Sequence, residues 1–208
     1  MRIMFFVFIL MSYGISAQEF SVSTQNLWHY PIDYNRRVES LKDNLRTDLA
    51  DIASFQEAFV TGLNGEISLL HEFLDYTGYV HRFLKTSEKF HFYEGLAIAG
   101  RYPIVSNEVK QYVLPHDSKK RPRRMLLAPF RIAGETIYVF NLHLSPFPKN
   151  IHLREDQLKY VVSIIVPYLQ ARKPVVVMGD FNQDYHSDFF APLFDLKMKM
   201  SLSPNQCT

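Results

Sequence analysis

The sequence predicts an α/β domain of two sheets with flanking helices. Short apolar, β-branched runs alternate with segments of helical period in the order β-α-β-α, several strands, then α-β, and such a mixed order produces sheets covered by helices. Hydrophobic residues make up 47% of the 208 residues, enough for the core of one domain of this length.

Each element has its own signal. Phe20 to Trp28 alternates apolar and polar residues and reads as a strand. Asn35 to Leu49 reads as a helix, with Val38, Leu41, Leu45 and Leu49 on one stripe. Asp51 to Glu57 is a short buried strand, and Glu66 to Tyr76 a second amphipathic helix. Tyr79–Leu84, Gly95–Ala99 and Val109–Leu114 read as strands, with a turn at Arg101-Tyr102-Pro103 and a polar loop from His116 to Arg124. Met125–Ile132 and Thr136–Leu144 form a hairpin around Ala133-Gly134-Glu135. Leu153–Leu169 has helical period, and Pro167 is expected to kink or end it. The run Pro174–Met178 is a buried strand, and Ser187–Phe194 starts a last helix.

Residues 1–17 read as a signal peptide, with Arg2 before an apolar core from Ile3 to Met11 and small residues at Ser16-Ala17. Cleavage after Ala17 would leave a domain over residues 18–208 and a secreted or periplasmic protein. The apolar stretch is short for a membrane span, and no cysteine stands at the cleavage point for a lipid anchor. The lone Cys207 permits no disulfide within the chain. A formal net charge of +2 excludes a uniformly basic nucleic-acid binder, so any anion binding is local.

Four apolar strands end in polar side chains. Asn26 ends the first, Glu57 the second, His143 lies in Asn141-Leu142-His143-Leu144, and Asp180 and Asn182 stand in Gly179-Asp180-Phe181-Asn182 after Val175-Val176-Val177-Met178. The carboxyl edge of strands is where sheet enzymes place chemistry. Gly179 reads as the residue that lets the backbone turn there. Carboxylate and amide oxygens suit Mg²⁺, a hard cation. Glu57 is its anionic ligand in this reading, with Asn26 adding a carbonyl oxygen. His143 would donate a hydrogen bond to a phosphate oxygen as charge builds. Lys119 to Arg124 is a basic run read as a solvated loop, although it could attract a phosphodiester backbone or lipid headgroup. Trp28, Tyr30, Phe90, Phe92, Tyr93, Phe147 and Phe181 are aromatics that could flank a cleft, most of them expected in the core.

Together these segments resemble the endonuclease/exonuclease/phosphatase superfamily, the DNase I-like fold. The matching motifs are Thr24-Gln25-Asn26-Leu27-Trp28, Phe55-Gln56-Glu57, Gly95 to Ile104, Asn141-Leu142-His143-Leu144 and Gly179-Asp180-Phe181-Asn182, in the family's order from about residue 20 to 185. The resemblance implies a four-layered αββα sandwich and phosphoester hydrolysis dependent on Mg²⁺ or Mn²⁺, by in-line attack of water. It places Asn26 and Glu57 at the metal and His143 on the scissile phosphate. Asp180 orients or activates the attacking water, Asn182 helps bind phosphate and water, and Asn141 joins the substrate-binding set. The substrate class stays open among nucleic acid, a sphingomyelin-type phospholipid headgroup and a soluble phosphoester, with a monomer and no obligate protein partner expected. The alternative is a non-catalytic fold-mate that binds a phosphate-bearing ligand or a protein. The family's closing Ser-Asp-His strand, with its general-base histidine, has no counterpart among these residues. The chain is therefore expected to lack closing strands at its C-terminus and to expose a sheet edge.

Overall fold

The computed structural model describes residues 6–10, 19–27, 50–61, 70, 74, 77–89, 92–116, 122–184 and 186–201. For 6–10, 59–61, 87–89 and 92–93 it describes the backbone alone. The helix expected over 35–49 lies outside these residues. Of the helix expected over 66–76, Leu70 and Leu74 are described; they are helical, as is Thr77 just beyond.

Ten strands form two sheets among the described residues. A four-stranded sheet has the order β2-β3-β5-β4, from Val22–Asn26 (β2), Ile52–Thr61 (β3), Val80–Lys89 (β4) and Phe92–Gly100 (β5). The other sheet has the order β10-β1-β9-β8-β7-β6. Its strands are Phe6–Leu10 (β1), Lys110–Val113 (β6), Arg124–Ile132 (β7), Glu135–His143 (β8), Val175–Asp180 (β9) and Lys199–Ser201 (β10). The hairpin β7–β8 turns through Ala133 and Gly134, both at positive φ (48° and 86°), the geometry of a two-residue hairpin turn. β2 lies at an edge of its sheet. β9 does not: the apolar run read as the leader core runs antiparallel along it as β1. Removal of residues 1–17 would take that strand out of the sheet.

Alternation along the strands assigns side chains to three cores, and the cores define the layers. Val176 and Met178 of β9 face inward with Leu126, Phe130 and Val139 against Ile52, Leu96 and Ile98 of the other sheet. Val175 and Val177, one residue out of phase, face the opposite side and pack with Phe140 under Leu158, Val161 and Ile165. These last three belong to α1, Ile151–Gln170. On the far face of the four-stranded sheet, Ala53, Phe55, Ala97 and Ala99 pack with Leu70 and Leu74. Helix, sheet, sheet, helix is the αββα order expected.

Pro167 does not end α1 early. It sits in the last turn, where its missing N–H removes one intrahelical bond, and its carbonyl still accepts from Ala171 N at 3.1 Å. The last helix is shorter than expected. Ser187 caps a 3₁₀ turn, Asp188–Phe190, through Phe189 N, and α2 follows as Ala191–Asp195.

Candidate phosphoester site

Two parallel strand pairs end together. β2 runs parallel to β3 with Asn26 opposite Gln56, and β8 runs parallel to β9 with His143 opposite Asp180. Because the sheets are packed face to face, the carboxyl ends of both pairs meet at one rim. Asn26 Nδ2 donates to Glu57 Oε1 and to Asp180 Oδ2, both at 3.0 Å. His143 Nε2 lies 3.9 Å from Glu57 Oε1 and 3.7 Å from Asp180 Oδ2. Residues up to 154 positions apart are thus joined at one point.

Local backbone features aim these side chains. Between Phe55 and Ala58 the register with β5 shifts, so Gln56 and Glu57 oppose Leu96 alone. Such a bulge re-aims a side chain, and Glu57 sits at φ 49° within it. Asn182 is also left-handed, at φ 51°. Its N–H donates to Asp180 Oδ1 at 2.9 Å and its Nδ2 to Leu144 O at 3.0 Å. Strained backbone of this kind persists where the surroundings over-determine it, and clusters at functional sites.

Gly179 is required for a reason the sequence did not suggest. It lies inside β9 at φ 137°, and a Cβ there would stand 2.1 Å from Leu142 O. It serves close approach of β9 to β8 rather than a turn.

The electrostatics are set by burial. Asp180 is 4% exposed. Burial raises its carboxyl above the usual range and the Glu57 charge adds to this, while hydrogen bonds from Asn26 and Asn182 and the Arg123 charge pull it down. Arg123 Nη1 lies 3.2 Å from His143 Nδ1. A guanidinium only donates, so Nδ1 is the acceptor and the ring N–H is at Nε2, facing the carboxylates. Burial lowers the Arg123 pKa, opposed by Glu94, Glu57 and Asp180. The residue read as part of a solvated loop is therefore a half-buried member of the site; Lys119, Lys120 and Arg121 lie outside the described residues.

Asn141 departs from the expected substrate-binding role. It is fully buried between the sheets, donating to Phe55 O and Ala97 O (both 2.9 Å) and accepting from Gln56 Nε2 (2.6 Å). Gln56 also reaches Thr24 Oγ1 at 3.0 Å, which accepts from Ser54 at 2.8 Å. This network ties the two sheets together directly beneath Glu57 and Asp180. Phe181, one of the candidate cleft aromatics, is core and packs edge-on against Phe190, whereas Phe147 is 57% exposed.

Sequence reasoning also missed Arg154 and Gln157, both buried on α1. Arg154 donates to Ser145 O (3.1 Å) and Phe147 O (2.7 Å), and Gln157 accepts from Ser145 N (3.0 Å) and donates to Pro115 O (2.8 Å). They hold the loop that follows His143. The available signal was two polar residues on the same helical stripe as Leu158, Val161 and Ile165.

Among the described residues no group of three or more His, Cys, Asp or Glu side chains is arranged to hold a metal. The donor set is two carboxylates and an amide. The carboxylate oxygens of Glu57 and Asp180 suit a divalent hard cation such as Mg²⁺ or Mn²⁺, whereas Asn26 turns its N–H₂ toward them, so its carbonyl oxygen would reach an ion there only with the amide turned over.

The model of the endonuclease/exonuclease/phosphatase family matches residues 23–196, and the chain belongs to that family. Its fold is shared with an endonuclease/exonuclease/phosphatase family protein from Bacteroides thetaiotaomicron (21% identity, TM-score 0.66, covering 85% of this chain and 68% of that one). Similar too are D. rerio TDP2 complexed with a single-strand DNA product (16%, 0.60, 84% and 64%) and the human Nocturnin catalytic domain with bound sulfate (16%, 0.62, 76% and 61%). The chain spans about half to two thirds of the length of several such structures. No curated protein sequence matches it. A phosphoester hydrolase in general fits this family.

Proposed function

We propose that this protein is a divalent-metal-dependent phosphodiesterase. The observation that carries the reading is the convergence of Asn26, Glu57, His143 and Asp180 at one rim through contacts of 3.0 to 3.9 Å. Glu57 would hold Mg²⁺ or Mn²⁺ with Asp180 beside it, and Asn26 would add its carbonyl oxygen once its amide turns over; the ion would supply Lewis-acid neutralisation of phosphate charge. His143 presents Nε2–H to a phosphate oxygen as negative charge develops there. Asp180 orients the attacking water and accepts its proton. Asn182, held by Asp180 and Leu144, stands beside that water. The leader-like residues 1–17 support secretion, and N-terminal sequencing of the mature protein would find Gln18 first.

The test is hydrolysis of bis(p-nitrophenyl) phosphate by the full-length protein with Mg²⁺ or Mn²⁺ and with chelator. Turnover should require the metal and disappear in Glu57→Ala. Turnover in Glu57→Ala with unchanged metal dependence would remove Glu57 from the site. Phosphate binding without turnover in the parent protein would favour the non-catalytic fold-mate.

A further inference from the structure

A cleft of about 300 Å³ opens beside His143, on the side away from the two carboxylates, and Arg123, Arg124, Glu94, His116 and Phe147 line it. We infer that this cleft is a second anion subsite, which takes a phosphate adjacent to the scissile one and so selects phosphoesters that carry two neighbouring phosphates. The inference rests on the phosphoesterase reading of the rim.

The two guanidiniums are placed by the fold. Arg124 begins β7, opposite Val113 of β6, and the Arg123 carbonyl accepts from Leu114 N at 2.9 Å. Arg123 lies one imidazole ring from the carboxylates, since its Nη1 touches His143 Nδ1 while Nε2 of the same ring faces Glu57 and Asp180. The Nε of Arg124 is shut off from solvent and has no hydrogen-bond partner among the described residues. A buried donor without an acceptor is unfavourable, and an anion entering this cleft offers acceptors to the guanidinium that carries it.

Charge separates the substrate classes. Among the lining residues two arginines face one carboxylate, Glu94, so the cleft is positive, whereas the rim is negative through Glu57 and Asp180. Guanidinium forks match phosphate oxygens in pairs. A headgroup with a quaternary amine next to its phosphate would set that cation against Arg123 and Arg124. A neutral alcohol would bring no negative charge to the excess of arginine over carboxylate in the lining. A second phosphate meets the requirement, whether in an oligonucleotide backbone or a nucleoside bisphosphate.

The experiment is calorimetric titration of the protein, with Mg²⁺ present, using thymidine 5′-monophosphate, thymidine 3′,5′-bisphosphate, phosphocholine and the oligonucleotide (dT)4. The bisphosphate should bind about tenfold more tightly than the monophosphate, the scale of one added charge-assisted pair. Arg124→Gln should bring that ratio near one, and Arg124→Lys should keep part of it. The ratio is measured within one protein, so a lower folded fraction does not imitate the effect, and Arg123→Gln serves where Arg124→Gln does not fold. A preference for (dT)4 over the bisphosphate would identify a polymer as the source of the second phosphate. An unchanged ratio in both variants, or phosphocholine bound as tightly as the bisphosphate, would overturn the subsite. Asp180→Asn separates the two ideas: loss of turnover with the ratio kept supports both, whereas a ratio of one in an actively hydrolysing parent removes the subsite alone.

Discussion

Two aspartates stand at opposite ends of this fold, and their surroundings differ in kind. Asp51 precedes β3, at the amino end of the β2–β3 pair. It accepts from Ser21 N (2.7 Å) and Ser21 Oγ (2.9 Å) and pairs with Arg101 Nε (3.0 Å). Burial opposes its ionisation, but the Ser21 hydrogen bonds and the Arg101 charge outweigh that and hold its carboxyl below the usual range. Asp180 lies at the carboxyl end of β9. It is more deeply buried, faces another carboxylate, and has its carboxyl raised. Asp51 is ionised at the expense of nothing else and clasps two strands. Burial makes the ionised form of Asp180 costly to stability, which a folded chain tolerates where the group has a role.

The comparison is broken most directly at Asp180. In the full-length protein, Asp180→Asn should lower phosphodiester hydrolysis by about 10²–10⁴-fold, the range for losing a positioned base. In metal-free protein the same change should raise the melting temperature by about 2–4 °C, the effect of about 1 kcal/mol in a domain of this size. Lower activity together with lower stability would make Asp180 a clasp like Asp51.

Gly179→Ala sharpens the comparison from beneath. The new Cβ would meet Leu142 O at 2.1 Å, at a φ that side chains rarely adopt, so denaturant titration should show a loss of about 3 kcal/mol. A loss below about 1 kcal/mol would mean that β8 and β9 separate easily and that the His143–Asp180 register is not rigid.

The smallest effect belongs to Asp51→Asn. Arg101 is about half exposed, so solvent screening limits the ion pair and the loss at pH 7 should be about 1 kcal/mol. The folded carboxyl is depressed, so its stabilisation is present above the unfolded value of about 3.9 and disappears as pH falls through the folded value. Melting curves of Asp51→Asn and the parent should therefore converge in acid, and hydrolysis should be unchanged at neutral pH. Curves that stay apart at low pH would assign the loss to packing.

Strand positions were legible because burial on both faces writes itself as continuous β-branched runs, as in Val175 to Met178. The rim was legible in part because Asn26, His143 and Asp180 close their strands; Glu57, read as the end of the second strand, instead sits at a bulge inside β3, which runs on to Thr61. Asn141 interrupts an apolar strand too, yet its amide is spent on Phe55, Ala97 and Gln56. Alternation in β8 distinguishes neither role, since Asn141 and His143 share a face and only the packing of the second sheet decides which is covered. Arg123 was misread because a run of basic residues gives no sign of which member turns inward. The fold of Phe6 to Leu10 along β9 was equally hidden, as an apolar run serves a leader or a strand alike. The left-handed backbone of Glu57 has no sequence signal, whereas Asn182 is of a residue type that tolerates positive φ.

The central claim is that the rim around Glu57 and Asp180, and not the Asp51 cluster, holds the divalent cation that phosphoester hydrolysis needs. Calorimetric titration of Mn²⁺ into the parent, Glu57→Gln, Asp180→Asn and Asp51→Asn proteins tests it without any substrate. The account predicts saturable binding in the parent and in Asp51→Asn, and a weakening of about tenfold or more in Glu57→Gln and Asp180→Asn, the size expected when a hard cation loses one anionic ligand. Equal binding in all four proteins, or a loss confined to Asp51→Asn, would contradict it.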